Sequence, residues 1–274
     1  QEELDAIHAE LGCEGACGSC DLCDSCIHST FHHHHHADEV FTSWGRETPR
    51  KYSREELQDI LSVLAMTEDY GNPSSLYALG TRAAKALADH REAVAQALGC
   101  QAGEVIFTSG GTEGDNWTIS LAAHLGRHRG KHIITTAVEH AAVLEPCKAL
   151  EAQGYQVTYL TPGPDGRVKV ADLEAALRPD TVLVSMMLVN NETGAIQPVK
   201  EAGQVLRRCR SQALLHTDAI QGFLKIPFTP KALGVDLLTV SGHKIGAMKG
   251  SGALYLRAGL RAVPLLRGGG QEKG

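Results

Sequence analysis

The chain has 274 residues, a formal charge of −6, and 43% hydrophobic against 21% charged residues. That balance builds a core, so it excludes disorder, and the acidic charge argues against a general nucleic-acid binder. No apolar run approaches the roughly 20 residues of a membrane-spanning helix and the opening Gln-Glu-Glu-Leu-Asp has no signal-peptide pattern, so a cytoplasmic protein is expected.

Composition changes near residue 65, which predicts a Cys/His-rich N-terminal segment over 1–65 and an α/β domain over 66–274. The chain does not open with Met, and its frame is expected to begin upstream. Five of the eight cysteines, Cys13, Cys17, Cys20, Cys23 and Cys26, are crowded at spacings suited to thiolate ligation of zinc or another thiophilic metal. An unfolded Cys-rich linker is the alternative. Five histidines follow, His32 to His36. Ser53 and Glu56 have capping-box spacing and predict a helix to about Leu64.

Beyond residue 65 helices and apolar strands alternate. "SLYALGTRAAKALADHREAVAQALG" predicts a helix ended by Gly99, and "EVIFTS" a strand running into the glycine turn and helix of "GGTEGDNWTISLAAHLG". "HIITTA" reads as a strand and "AAVLEPCKALEAQG" as a helix that tolerates Pro146 near its start. Strands follow at "QVTYL", "TVLVSMMLV", "ALLHTD", "DLLTVSG" and "GALYLR", with helices at "VADLEAALRP" and "VKEAGQVLRRCRSQ". This alternation predicts a mostly parallel α/β sheet with helices on both faces.

Ligands of such sheets sit at the carboxyl ends of the strands, and the unusual residues cluster there. The turn at Gly110, Gly111 and Thr112 can cradle a phosphate on a helix N-terminus, or can simply be a tight connection. His140 stands at a strand-to-helix transition, where a structural cap is the plain reading. Asn190 and Asn191 follow an apolar strand as turn formers or as holders of a polar ring substituent. Asp218 ends a buried strand, with Gln221 three residues on, and Ser241, His243 and Lys244 end another. A glycine cradle, a strand-end carboxylate and a strand-end lysine are what pyridoxal phosphate requires: the lysine for a Schiff base, the carboxylate for the ring nitrogen, the cradle for the phosphate.

The stretches "YGNPSSLYALG", "VIFTSGGTEGDN", "VEHAAVL", "VNNETGAIQPV", "HTDAIQ", "SGHKIGAMKGSGALYLR" and "RGGGQEKG" resemble the NifS/IscS-like cysteine desulfurases, within the class V aminotransferases of pyridoxal-phosphate fold type I. The resemblance implies the large domain of that fold, a homodimer, and conversion of L-cysteine to L-alanine with a protein-bound persulfide passed to a sulfur-acceptor protein, for iron–sulfur cluster or thio-cofactor assembly. It implies Lys244 as the Schiff-base lysine, His140 stacked on the ring, Asp218 on the ring nitrogen, and Asn191 and Gln221 near the ring hydroxyl. Gly111, Thr112, Ser241 and His243 would bind the phosphate, and Asn72 would lie near the site entrance. A selenocysteine lyase or an aminotransferase of the same class shares these residues, and a metal-binding protein that keeps the fold without turnover is the non-enzyme alternative.

The sequence departs from the family at both ends. An N-terminal "Leu-Asp-Asn-Ala-Ala-Thr-Thr"-like motif is absent and the chain stops at Gly274. The small C-terminal domain, with its loop carrying the nucleophilic cysteine, is therefore expected to be missing, and little turnover is expected of this chain alone. Cys100, Cys147 and Cys209 read as buried helix residues rather than as that nucleophile. Residues of about 32–64 resemble the C-terminal part of CobW-type metallochaperone GTPases, although no P-loop precedes them.

Overall fold

The structure is a computed structural model that describes residues 70–269. The metal-binding segment, the CobW-like stretch and the Ser53 helix lie outside the described residues. The chain divides into two units at His90/Arg91. In the first, the Asn72 side chain accepts the Ser74 N–H at 2.9 Å and its carbonyl accepts the Ser75 N–H at 2.9 Å, which forms the turn that leads into helix α1 (Ala78–Leu98).

In the second unit the predicted alternation is realised. It runs β1 (Val105–Thr108), α2 (Gly111–Gly126), β2 (His132–Thr136), α3 (Ala141–Glu151), β3 (Gln156–Leu160), α4 (Val170–Ala176), β4 (Thr181–Ser185), α5 (Val199–Arg208), β5 (Leu214–Asp218), α6 (Pro230–Leu233), β6 (Leu237–Ser241) and β7 (Gly252–Leu256). The seven strands form one sheet in the order β1-β7-β6-β5-β4-β2-β3. Strand β7 runs antiparallel to both its neighbours, and every other pair is parallel. The sheet is thus mostly parallel, as the sequence predicts.

Helices cover both faces, and the pleat shows which helix lies on which side. Gly114 of α2 sits against Thr239 of β6, where an added Cβ would come within 2.6 Å of its methyl group. Gly203 of α5 sits against Leu215 of β5, at 3.4 Å by the same construction. Asp218 pairs with Thr239, so Thr239 shares a face with His216 and Asp218 while Leu215 points to the other. Strands β2, β4, β5, β6 and β7 are accordingly buried at every residue. Their apolar side chains, among them Ile133, Leu183, Leu237 and Leu254, join Ile119 and Leu121 of α2 in the core.

Three details differ from the sequence reading. Pro146 is well inside α3 rather than near its start. A proline there leaves the Ala142 carbonyl without its helical donor, and the Asn116 side chain supplies one at 3.4 Å. Strand β4 stops at Ser185, short of the apolar run. Met186 and Leu188 still donate to the His216 and Asp218 carbonyls, but the Met187 N–H turns to the Glu139 carboxyl at 2.8 Å and leaves the ladder. Of the three cysteines read as buried, only Cys147 is. Cys100 is half-buried after α1, and Cys209 is exposed as the C-cap of α5, with its thiol 3.8 Å from the Glu174 carboxylate.

Candidate active site

The strand ends place the predicted residues along one edge of the sheet. Asp218 is the last residue of β5 and Ser241 the last of β6. Lys244 closes a 3-10 turn, Gly242–Lys244, directly after β6. The glycine turn follows β1. There Gly110 takes φ 152, a conformation that a side chain would strain, and no side chain caps α2. The first N–H groups of the helix are left to meet an anion. A Cβ on Gly111 would overlap the Ile220 side chain and lie 3.8 Å from the Ser241 Cβ. The cradle, the Asp218 loop and the end of β6 therefore converge. Thr112 is exposed at the head of α2. Ser241 Oγ and His243 Nδ1 are 2.9 Å apart beside the cradle.

Asp218 is 5% exposed and its Oδ1 accepts the Ile220 N–H at 2.9 Å. Burial pushes its pKa up to about 6, against the opposing pull of that hydrogen bond and of nearby His140. A carboxylate so placed calls for a cationic or N–H partner. His140 is the N-cap of α3, where its Nδ1 accepts the Ala142 N–H at 3.1 Å. The plain and the functional readings of this histidine are thus compatible. The cap makes Nδ1 the acceptor, which puts the proton of the neutral ring on Nε2. Desolvation and, after it, the charge of Lys244 lower the pKa values of both His243 and Lys225, so these groups lie near Lys244. The Gln221 Oε1 accepts from Lys225 Nζ at 2.8 Å.

The two asparagines separate in role. Asn190 is buried and ties a turn, donating to the Val138 carbonyl at 2.9 Å and accepting from Glu192 N, Thr193 N and the Thr193 hydroxyl. Asn191 is exposed and its amide donates to Glu192, without a hydrogen bond to another predicted site residue. None of the groups brought together at the strand ends is a metal cluster. Among the described residues no cluster of three or more His, Cys, Asp and Glu could hold a metal ion.

Sequence reasoning missed a buried polar layer behind Asp218. His216 is fully buried, with Nδ1 2.9 Å from Ser185 Oγ and Nε2 3.1 Å from Thr239 Oγ1. Its Nε2 is also 3.5 Å from an oxygen of the buried Asp115 of α2. Burial lowers the His216 pKa to about 3, so the ring is neutral. Burial and the nearby Asp218 raise Asp115 well above the carboxylate range. Glu139 is pushed up to about 8 by burial, although Oε1 accepts from Met187 N and the Thr136 hydroxyl, each at 2.8 Å. Burial thus favours the neutral form of all three neighbours, while Asp218, at about 6, carries charge at pH 7. The signal for this layer is polar residues at alternate positions of apolar strands, His216 with Asp218 and Thr239 with Ser241.

Two of the described cysteines, Cys100 and Cys147, are not activated thiols. Burial and nearby carboxylates push both Cys100 and Cys147 up to about 12. No helix among the described residues is long and apolar enough to cross a membrane.

The sequence and the fold recur in known proteins. Residues 58–273 match the aminotransferase class-V family. The chain is 48% identical over 208 residues to the cysteine desulfurase IscS of Methanosarcina thermophila, covering 76% of this chain and 51% of that protein. Among solved structures, a NifS-like protein superposes with a TM-score of 0.75 at 41% identity, over 77% of this chain and 58% of the other. SspA in complex with cysteine superposes at 0.74 with 37% identity, over 79% and 63%. The chain spans about half the length of the curated relatives it matches. Seven strands in this order, a glycine turn on a helix N-terminus, and a family match across 58–273 lead to one assignment: the chain belongs to the class-V aminotransferase family.

Proposed function

We propose that this chain forms the pyridoxal-phosphate-binding part of a cysteine desulfurase. The observation that carries the reading is the convergence of the uncapped glycine turn, buried Asp218 and Lys244 on one edge of the sheet. The residues fit the cofactor: an anion cradle that side chains would fill, a buried carboxylate suited to a protonated ring nitrogen, and an exposed lysine amine.

When bound, pyridoxal phosphate supplies an electron sink for the substrate's Cα–H bond. In this reading the amides of Gly111 and Thr112, with Ser241 and His243, hold the phosphate. Lys244 holds the cofactor covalently and moves the proton at Cα. Asp218 keeps the ring nitrogen protonated, and the neutral His216 ring behind it brings no competing charge. His140 packs on the ring, and Gln221 and Asn191 serve the ring hydroxyl. The overall reaction takes L-cysteine and a protein thiol to L-alanine and a protein persulfide, so the sulfur atom passes to the thiol and a proton to the carbon. A homodimer and a sulfur-acceptor protein belong to the same proposal, as does a cytoplasmic location.

Borohydride reduction of the chain loaded with pyridoxal phosphate tests the site. The expected result is one stable adduct, mapped to Lys244 and absent in Lys244→Ala. An adduct that persists on another lysine would refute the assignment.

We also propose that Cys13, Cys17, Cys20, Cys23 and Cys26 bind zinc, on the strength of their spacing. Zinc titration of the chain should release protons as thiols become thiolates. No uptake at micromolar zinc would return the segment to a linker.

A further inference from the structure

We propose that Lys225 is a positioning residue that fixes which end of the Gln221 amide faces the cofactor, an inference that rests on the pyridoxal-phosphate reading above. A lysine ammonium has three donors and no acceptor. Its 2.8 Å bond to Gln221 is therefore a bond to the amide oxygen, whichever way the amide is drawn. The NH2 end is then turned away from Lys225, so Gln221 can offer its remaining partner only a donor. A ligand atom received there must be an acceptor, as a ring oxygen carrying negative charge is.

The backbone is shaped to make this contact. Gly222 and Phe223 both donate to the Ala219 carbonyl, and Phe223 is buried at 2% exposure, which anchors the turn after Asp218. Leu224 then takes φ 57, the left-handed region that a leucine rarely adopts. The next two N–H groups, of Lys225 and Ile226, both donate to the Gly222 carbonyl at 3.0 Å. The chain doubles back, and Lys225 returns over Gln221. Strain of this kind persists where the surrounding structure over-determines it.

Lys225 also brings charge. Although Lys225 is exposed, desolvation and the charge of Lys244 both lower its pKa, so the two ammonium groups lie close enough to influence each other. Other titratable groups of this region are His243 and Lys249 after β6, Asp218 at the end of β5 and His140 at the head of α3. With the cofactor bound, Lys225 would act on the nitrogen of Lys244 in two ways that agree in sign. Its positive charge disfavours a proton there. Its hold on Gln221 keeps a donor on the ring oxygen, which withdraws negative charge that would otherwise favour that proton. Both effects depress the pKa of the lysine-linked chromophore.

The test is a pH titration of the visible absorption band of the chain loaded with pyridoxal phosphate, without substrate. The variants are Lys225→Met and Lys225→Arg, with Lys225→Gln as an uncharged replacement if the Met variant unfolds on a thermal scan. The transition in Lys225→Met should move up by about one pH unit, the size of a single nearby charge. Arginine, also a donor without acceptors, should restore most of that shift. A side chain with a merely structural role would leave the transition in place. An unshifted transition in a Met or Gln variant that binds cofactor would overturn the role of Lys225 and leave the cofactor reading intact. A parent chain with no band and no reducible adduct on Lys244 would overturn both.

Discussion

Replacing Glu139 with Gln tests the account of the buried polar layer. Glu139 is 6% exposed, its pKa is pushed from an ordinary 4.5 up to about 8, and desolvation is the largest cause. In the folded chain it holds a proton through a pH range in which the unfolded chain has lost it. Stability from this group is fully present below pH 4.5 and is lost as pH rises toward 8. At about 1.4 kcal/mol per pH unit, the loss across that window reaches up to about 5 kcal/mol. Glutamine mimics the neutral acid, because its Oε1 can still accept from Met187 N and the Thr136 hydroxyl. Urea unfolding of parent and Glu139→Gln, without cofactor, at pH 5, 6.5 and 8 isolates the group, since Asp115 and Asp218 remain in both. The two proteins should match near pH 5 and diverge steadily, with the variant more stable by several kcal/mol at pH 8. Parallel curves would refute the argument, because they would mean that Glu139 ionises alike in the folded and unfolded chains.

Asp218→Asn should keep the cofactor, because the phosphate contacts persist, yet slow α-proton exchange of bound amino acids by about 100-fold or more; equal exchange rates would remove Asp218 from the ring nitrogen. Gly110→Ala places a side chain at φ 152 and should cost about 1–3 kcal/mol in urea unfolding while weakening phosphate-dependent cofactor retention. Alkylation followed by peptide mass mapping should label Cys209 in the folded chain and spare Cys147, which is 0% exposed and has its pKa pushed to about 12, until denaturant is added.

What could be read from the sequence is what local chemistry dictates. Runs such as "HIITT" and "LLTVS" are apolar and β-branched over the length of a buried strand, and the helices between them make a mostly parallel sheet the natural outcome. Gly110, Gly111, Asp218, Ser241 and Lys244 stand out because strand ends are where such a sheet meets its ligand, so type and position together carry the signal. The tertiary structure decided what depends on partners far away in the chain. Asp115, Ser185, His216 and Thr239 meet on one sheet face only because α2, β4, β5 and β6 are stacked there, and their pKa values follow from that burial rather than from residue type. Strand β4 ends early because the Glu139 carboxyl, 48 positions away, takes the Met187 N–H. Cys209 lies on the outside because α5 ends at Arg208: its spacing from buried Val205 and Leu206 would place it on the inner face of a continuing helix, but as the C-cap it lies past the last packed turn. The orientation of Gln221 is the finest case. An amide can present either end, and the choice rests on a left-handed turn at Leu224 that folds the Lys225 ammonium back onto its oxygen.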